Sequence, residues 1–499
     1  MRMLCDIPCA KLFNFKVTKM SIKIRAILSG LLFLSFSSFG QSVNIGKLSF
    51  SSLNNENKPA GTLYTTMQVF EDNQMQNGRK IPLYIEVLPS KSKLNREEPM
   101  FILMGGPGQA ATDLVSFFAD IFEPINQNSD IVFIDQRGTG KSNPLKIQAS
   151  YTSMQDYFND EFVNDSIIRA NYNVLSKNHD LTKYGTLNAT LDIETVRKAM
   201  GYSKINIYGT SYGTRLALSY IKKFPLNVRT ATLKGIVPDN LVIPYNFATD
   251  AQNSLDKIIA DCETIDSCKK AFPEFGLGVK KLFSSNFPII TGWLNPQTNQ
   301  NETVKISKES IATTLRVLLL SPSTAVTIPY LITEANKGNY TPLANMIITI
   351  KKSYIAGLYD GMSFCVICFE DYPMLEKQPE NKFENTFLGN DWINRIKKPC
   401  AIWNSNKTFY PKQKMTKLPT QVLLISSARD PATPPEYGDE VLKYFPNGRH
   451  LIINNASHSF NGLTGCVENI ICNFVQAGNS MNLKSDCIDL IKFPGYKLE

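Results

Sequence analysis

Short apolar runs punctuate this chain, and most of them end in glycine- or aspartate-rich turns. Residues 63–70 are a short strand-like piece, and residues 81–88 alternate between apolar and polar positions, as a half-buried strand does. Residues 100–104 and 131–134 are unbroken apolar runs, the pattern of strands covered on both faces. They run into Gly105-Gly106-Pro107-Gly108 and Asp135-Gln136-Arg137-Gly138. Helical spacing predicts helices over 110–122 and 191–200, and another over 216–222, after a strand-like run that opens at Ile205. The next strand is expected at 230–237. After Pro238 the rhythm changes, and from about 240 to 415 the periods are helix-like with no regular strand pattern. It resumes with a strand at 421–426, a helix at 436–444, a strand at 450–454 and a helix at 467–476. Residues 41–80 are polar with short strand-like pieces, and 150–185 read as polar and connective.

Strands alternating with helices imply a mostly parallel sheet with helices on both faces. The expected domains are a leader at 1–40, the first part of an α/β core at 41–239, a large helical cap or lid at 240–415, and the rest of the core at 416–499. Ligands of such sheets bind beyond the C-terminal ends of the strands. The glycine-rich turns lie at those ends.

One of these turns carries a nucleophile pattern. The strand from Ile205 runs into Gly209-Thr210-Ser211-Tyr212-Gly213, and a helix follows. A serine on a sharp strand-to-helix turn projects its hydroxyl above the sheet, provided small residues flank it at two positions on either side. The hydroxyl needs a base, and the base needs an orienting acid, in the order Ser, Asp or Glu, His. Two histidines follow Ser211. His450 opens a strand and is expected to pack against a sheet face. His458 lies in a polar loop just past the last strand, where a base would overhang the turn. Asp430 is the acid of the loop after the preceding strand, with Glu436 as a remote substitute and helix capping as its other role. The oxyanion donors expected are the amides of Tyr212 and of Gly106, with Gly108 next to it, because Pro107 has no N–H. Gly138-Thr139-Gly140-Lys141-Ser142 is not a phosphate loop, since the first glycine of that motif would fall at Asp135. Asp135 and Arg137 are expected to tie their loop together beneath the site.

Charge and cysteine usage bear on where the chain works. Lys23 and Arg25 precede an apolar run at 26–36 and the small-residue end Ser38-Phe39-Gly40, the order of an export signal, with Met20 as an alternative start. The run is too short to span a bilayer, so no stable membrane insertion is expected. Residues 1–40 hold six basic side chains and one acidic, so a mature chain would fall from a net charge of +9 to +4. No basic stripe is interleaved with aromatics, which argues against nucleic acid as a partner. Eight cysteines remain after residue 40, an even number that reads as disulfides in an exported chain. Cys262–Cys268 and Cys466–Cys487 are the preferred pairs. Cys365-Val-Ile-Cys368 invites a redox or zinc reading, but no second such pair accompanies it. No metal or organic cofactor is implied.

Taken together, Gly-Gly-Pro-Gly, Asp-Gln-Arg-Gly-x-Gly, Gly-x-Ser-Tyr-Gly-Thr, Asp-Pro-x-Thr-Pro and a late loop histidine resemble the proline iminopeptidase and tripeptidyl aminopeptidase group of α/β-hydrolases, its larger exported members above all. The resemblance covers about residues 80–490. It implies the α/β-hydrolase fold with a helical cap, Ser211, Asp430 and His458 as a catalytic triad, and Tyr212 with Gly106 as the oxyanion hole. Met104 departs from the pattern, where relatives often have histidine. The group also implies cap acids that hold a substrate's free ammonium. Glu370, ahead of Asp371, is the expected pair, although an acid there would equally serve to cap a helix or tie the cap to the core. The function expected is an exported (periplasmic or secreted) serine aminopeptidase acting on peptides with a free N-terminus. A carboxylesterase or lipase with the same triad is the alternative, and a non-enzymatic binding module the remote one.

Overall fold

The computed structural model describes residues 42–92, 97–147, 153–159, 164–379, 382–404, 406, 408–410, 414–459 and 465–498. The expected export segment lies outside them. Strands β1 (Val43–Ile45), β2 (Leu48–Ser52), β3 (Leu63–Asp72), β4 (Asn77–Leu88), β5 (Met100–Leu103), β6 (Ile131–Ile134), β7 (Ile205–Thr210) and β8 (Val228–Lys234) precede the insertion. β9 (Ile289–Asn295) and β10 (Gln300–Ile306) form a hairpin within it, and β11 (Gln421–Ser427) and β12 (Gly448–Ile453) follow it. Among the described residues ten strands make one sheet, in the order β1-β2-β3-β4-β6-β5-β7-β8-β11-β12. From β6 to β12 the pairings are parallel, and from β1 to β6 they are antiparallel.

The unbroken apolar runs are strands whose alternate side chains feed two different layers. Phe101, Leu103, Ile205, Ile207, Val422 and Leu424 point into one core. Met100, Ile102, Tyr208, Leu423 and Ile425 point into the other. Each layer is closed by helices, which is why no polar face was visible in these runs. Four helices matter to the site: α1 (Thr186–Ala199), α2 (Tyr212–Lys223), α3 (Pro435–Leu442) and α4 (Cys466–Ala477).

The chain leaves β5 toward β6 on one side and returns to β7 on the other. This reversal opens a crevice beyond the C-terminal ends of β5 and β7, the place where parallel sheets bind ligands. The insertion packs around a third core that includes Trp293, Leu315 and Ile332, joined by Phe158 and Tyr496 from outside it.

Three features differ from the sequence expectations. A helix spans Asp165–Asn178 in a stretch read as connective. Only Ile168 and Leu175 of it are buried, so its apolar stripe is too thin to see. The hairpin β9–β10 lies in a stretch read as helical. The two preferred cysteine pairs, Cys262–Cys268 and Cys466–Cys487, form as expected, but the remaining four cysteines make only one more bond, Cys368–Cys400. Cys365 and Cys472 remain buried thiols, and Cys368 of the Cys-x-x-Cys pair bonds to Cys400 instead of its neighbour. No described helix is long and apolar enough to cross a membrane.

Candidate active site

Ser211 closes β7 and opens α2 with φ 55° and ψ −127°, a region that non-glycine residues avoid. Such backbone strain costs on the order of 1–3 kcal/mol and persists only where the surroundings impose it. Here the Ser211 N–H donates to the Lys234 carbonyl (2.9 Å), and the Thr214 N–H and hydroxyl donate back to the Ser211 carbonyl (2.8 and 2.6 Å). The flanking glycines are required by contact. A methyl group on Gly213 would come within 2.1 Å of the Leu103 carbonyl, and one on Gly209 within 2.8 Å of the Gly213 carbonyl.

The loop after β5 lies directly against this turn. A methyl on Gly105 would sit 2.8 Å from the Ser211 Cβ. Gly106 and Gly108 take φ values of 107° and 109°. Tyr212 is the first residue of α2, so its N–H has no partner within the helix. The loop that carries Gly106 and the Tyr212 amide thus both adjoin Ser211. Met104 is buried in the apolar layer with Met100 and Ile102.

Asp430 and His458 meet. His458 Nδ1 lies 2.8 Å from Asp430 Oδ2, with the imidazole 19% exposed and the carboxylate 1%. The other carboxylate oxygen accepts the N–H groups of Ala432 and Thr433, both at 2.8 Å. Asp430 therefore caps its turn and faces the imidazole at the same time. Thr433, which lies inside the Asp-Pro-x-Thr-Pro motif but drew no role from the sequence, donates its hydroxyl to Oδ2 (2.7 Å) and lies 3.1 Å from Nδ1. Burial would raise the pKa of Asp430. The nearby His458 and the Thr433 donors outweigh that and hold it below the ordinary carboxylate range. The imidazole packs over Gly235, where a methyl would come within 3.3 Å of Cε1. Gly235 directly follows Lys234, the acceptor of the Ser211 amide, so ring and turn share the end of β8. The insertion braces the histidine loop through Ser459 N–H to the Leu320 carbonyl (2.8 Å).

A second Ser, His, Asp trio shows that such contacts alone prove little. His450 Nε2 lies 2.8 Å from Ser426 Oγ, and its Nδ1 lies 2.9 Å from Asp439 Oδ1. Ser426, however, sits inside β11, paired on the sheet and 1% exposed, with no turn or helix start beside it. As expected, His450 packs on the sheet, tying β11 to α3. Ser426→Ala should therefore leave kcat and fluorophosphonate labelling at wild-type levels. The urea midpoint should drop by the equivalent of about 1 kcal/mol for the lost hydrogen bond. A labelling defect would move the nucleophile assignment.

Beneath the site, Asp135 accepts the Thr112 N–H and hydroxyl and the Lys141 N–H, each at 3.0 Å. Arg137 is fully buried on Asp192 of α1. Glu370 and Asp371 both have protein partners. Glu370 accepts the Thr186 N–H (2.6 Å) and hydroxyl (2.8 Å), capping α1, and Asp371 pairs with Arg215 at 2.8 Å.

Residues 98–271 match the family model described as alpha/beta hydrolase fold, and residues 385–487 match the one described as TAP-like protein. The chain is an α/β-hydrolase. It is 24% identical over 377 residues to the YuaR protein of Escherichia coli K12, covering 71% of this chain and 72% of that one. To the serine protease Hip1 of Mycobacterium tuberculosis H37Rv it is 25% identical over 228 residues, 42% of this chain and 43% of that protein. It is 30% identical over 140 residues to the proline iminopeptidase of Neisseria gonorrhoeae, covering 28% and 32% of the two chains. Its resemblance to the proline iminopeptidase and tripeptidyl aminopeptidase group thus extends from the motifs to whole segments of sequence.

Proposed function

We propose that this hydrolase is an exported serine peptidase that removes single residues or short peptides from free peptide N-termini. The observation that carries the reading is the Asp430-held imidazole at the same strand ends as the strained Ser211. His458 Nδ1–H donates to Asp430, which leaves Nε2 as the base. Ser211 Oγ attacks the scissile carbonyl while Nε2 takes its proton. The amides of Tyr212 and Gly106 stabilise the oxyanion, a few kcal/mol for each donor. The imidazolium then protonates the leaving amine. Water, deprotonated by the same nitrogen, releases the acyl group and restores the serine.

The N-terminal preference is supported by a relative named proline iminopeptidase, and a peptide substrate also by one named serine protease. Export is supported by three disulfides, which persist in oxidising compartments. The test is a panel of chromogenic amides, from single amino acids to tripeptides, each with a free and a blocked N-terminus. Turnover confined to free N-termini is expected. Equal turnover of blocked amides, or hydrolysis of small esters alone, would replace this reading with an endopeptidase or a carboxylesterase.

A further inference from the structure

One of the segments by which the insertion meets the catalytic end of the sheet is residues 359–371. It is a helix, Asp360–Val366, followed by a wide turn of π type, Ile367–Asp371. A π turn shifts side chains out of α-helical phase and recurs at functional sites. Here it turns the adjacent Glu370 and Asp371 both inward.

The two ends of the segment grip different parts of the site. At its start, the Tyr359 N–H donates to the Gly108 carbonyl (2.9 Å), and the Ser363 hydroxyl donates to the Pro107 carbonyl. Packing is so close that a methyl on Gly108 would come within 2.6 Å of the Ser363 hydroxyl. At its end, both oxygens of Glu370 are on Thr186, whose hydroxyl lies 2.9 Å from the Tyr212 hydroxyl. Asp371 holds Arg215 on the first turn of α2, and the same guanidinium donates to the Leu241 carbonyl (2.6 Å). Between these ends, Cys368 is bonded to Cys400.

We propose that residues 359–371 are a positioning element for the oxyanion hole, with Ser363, Glu370 and Asp371 as positioning residues. The inference rests on the acyl-transfer reading above. Its physical basis is that the two amide donors belong to separate pieces of chain, the loop after β5 and the first turn of α2. On the sheet side their spacing is set by the pairing of Leu103 with Gly209. On the open side it is set by this segment, which holds the loop at one end and the helix at the other. An oxyanion hole works only while both N–H groups converge on one oxygen at about 2.7–3.1 Å. A displacement of about 1 Å costs on the order of 10²-fold in rate. Glu370 and Asp371 thereby act through Tyr212 and Arg215, and do not reach for the substrate ammonium.

Ser363→Ala, Glu370→Gln and Asp371→Asn, compared with wild type, decide the matter on two substrates. One is an N-terminally free peptide amide and the other p-nitrophenyl acetate, which has no ammonium. Asp371→Asn and Glu370→Gln should lower kcat by roughly 10- to 10²-fold, by the same factor on both substrates and with KM little changed. Affinity for a boronic acid, which forms a tetrahedral adduct on the serine, should fall in parallel. Ser363→Thr, which keeps the donor, should recover most of what Ser363→Ala loses. A loss confined to the free-amino substrate and expressed in KM would overturn the proposal and give the acids to the ammonium. Unchanged kcat in all three variants would also overturn it. If Asp371→Asn does not fold, the half-buried Ser363 carries the same test with one hydrogen bond at stake. Wild-type protein whose Ser211 resists fluorophosphonate would remove the acyl-transfer reading itself, whereas labelled wild type with unaffected variants removes only this inference.

Discussion

Ser211→Ala is expected to lower kcat by roughly 10⁶-fold, the scale on which a triad nucleophile is lost, and to abolish fluorophosphonate labelling. The fold should not suffer. The strained φ of 55° is relaxed no further by alanine, and no side-chain hydrogen bond caps α2 at this position. Mass spectrometry of the labelled wild type should place the adduct on Ser211, and a labelled peptide elsewhere would end the assignment. Asp430→Asn should cost about 10⁴-fold, since an amide favours the wrong imidazole tautomer. The pH profile follows from the direction of the Asp430 shift. Its folded value lies below the unfolded one, so its contacts stabilise the fold above about pH 4 and are lost as pH falls through the folded value. Activity lost between neutrality and about pH 4 therefore does not report protonation of Asp430, which stays charged over that range.

Arg137→Ala should be strongly destabilising, by about 3–5 kcal/mol. The guanidinium is fully buried and forks onto Asp192 through two contacts of 2.7 Å. Its remaining donors reach the carbonyls of Phe70 (3.2 Å), Glu71 (2.5 Å) and Lys183 (3.0 Å). Among the described residues, alanine leaves the buried Asp192 carboxylate with only the Asn73 amide donating to it, at 2.8 Å. An unpaired buried charge is the costly outcome, so the double variant Arg137→Met, Asp192→Leu should be more stable than either single one. Urea midpoints at unchanged slope measure this. A loss under about 1 kcal/mol in Arg137→Ala would mean that water reaches the pair.

Much of the core was legible because buried parallel strands leave a strong mark. Four-residue apolar runs such as 100–103 and 131–134 have no other comfortable place, and their ends point to the glycine turns. The site was legible for a related reason. Gly209 and Gly213 are dictated by contacts that admit no side chain, and Asp430 and His458 each stand just past a strand. Residues acting through others left no such mark. Thr186, Arg215 and Ser363 are ordinary residues in helices, and their importance lies in partners 26 to 256 positions away. Glu370 shows the limit well. An acid in a cap suggests ammonium binding, but only the tertiary structure shows the helix start it caps.

The separate apolar centre of the insertion, built on Trp293, Leu315 and Ile332, has a consequence for descent. Bulk and shape can be exchanged there without disturbing the strands that carry the serine. A lineage can thus reshape that centre while inheriting the strands and their serine intact.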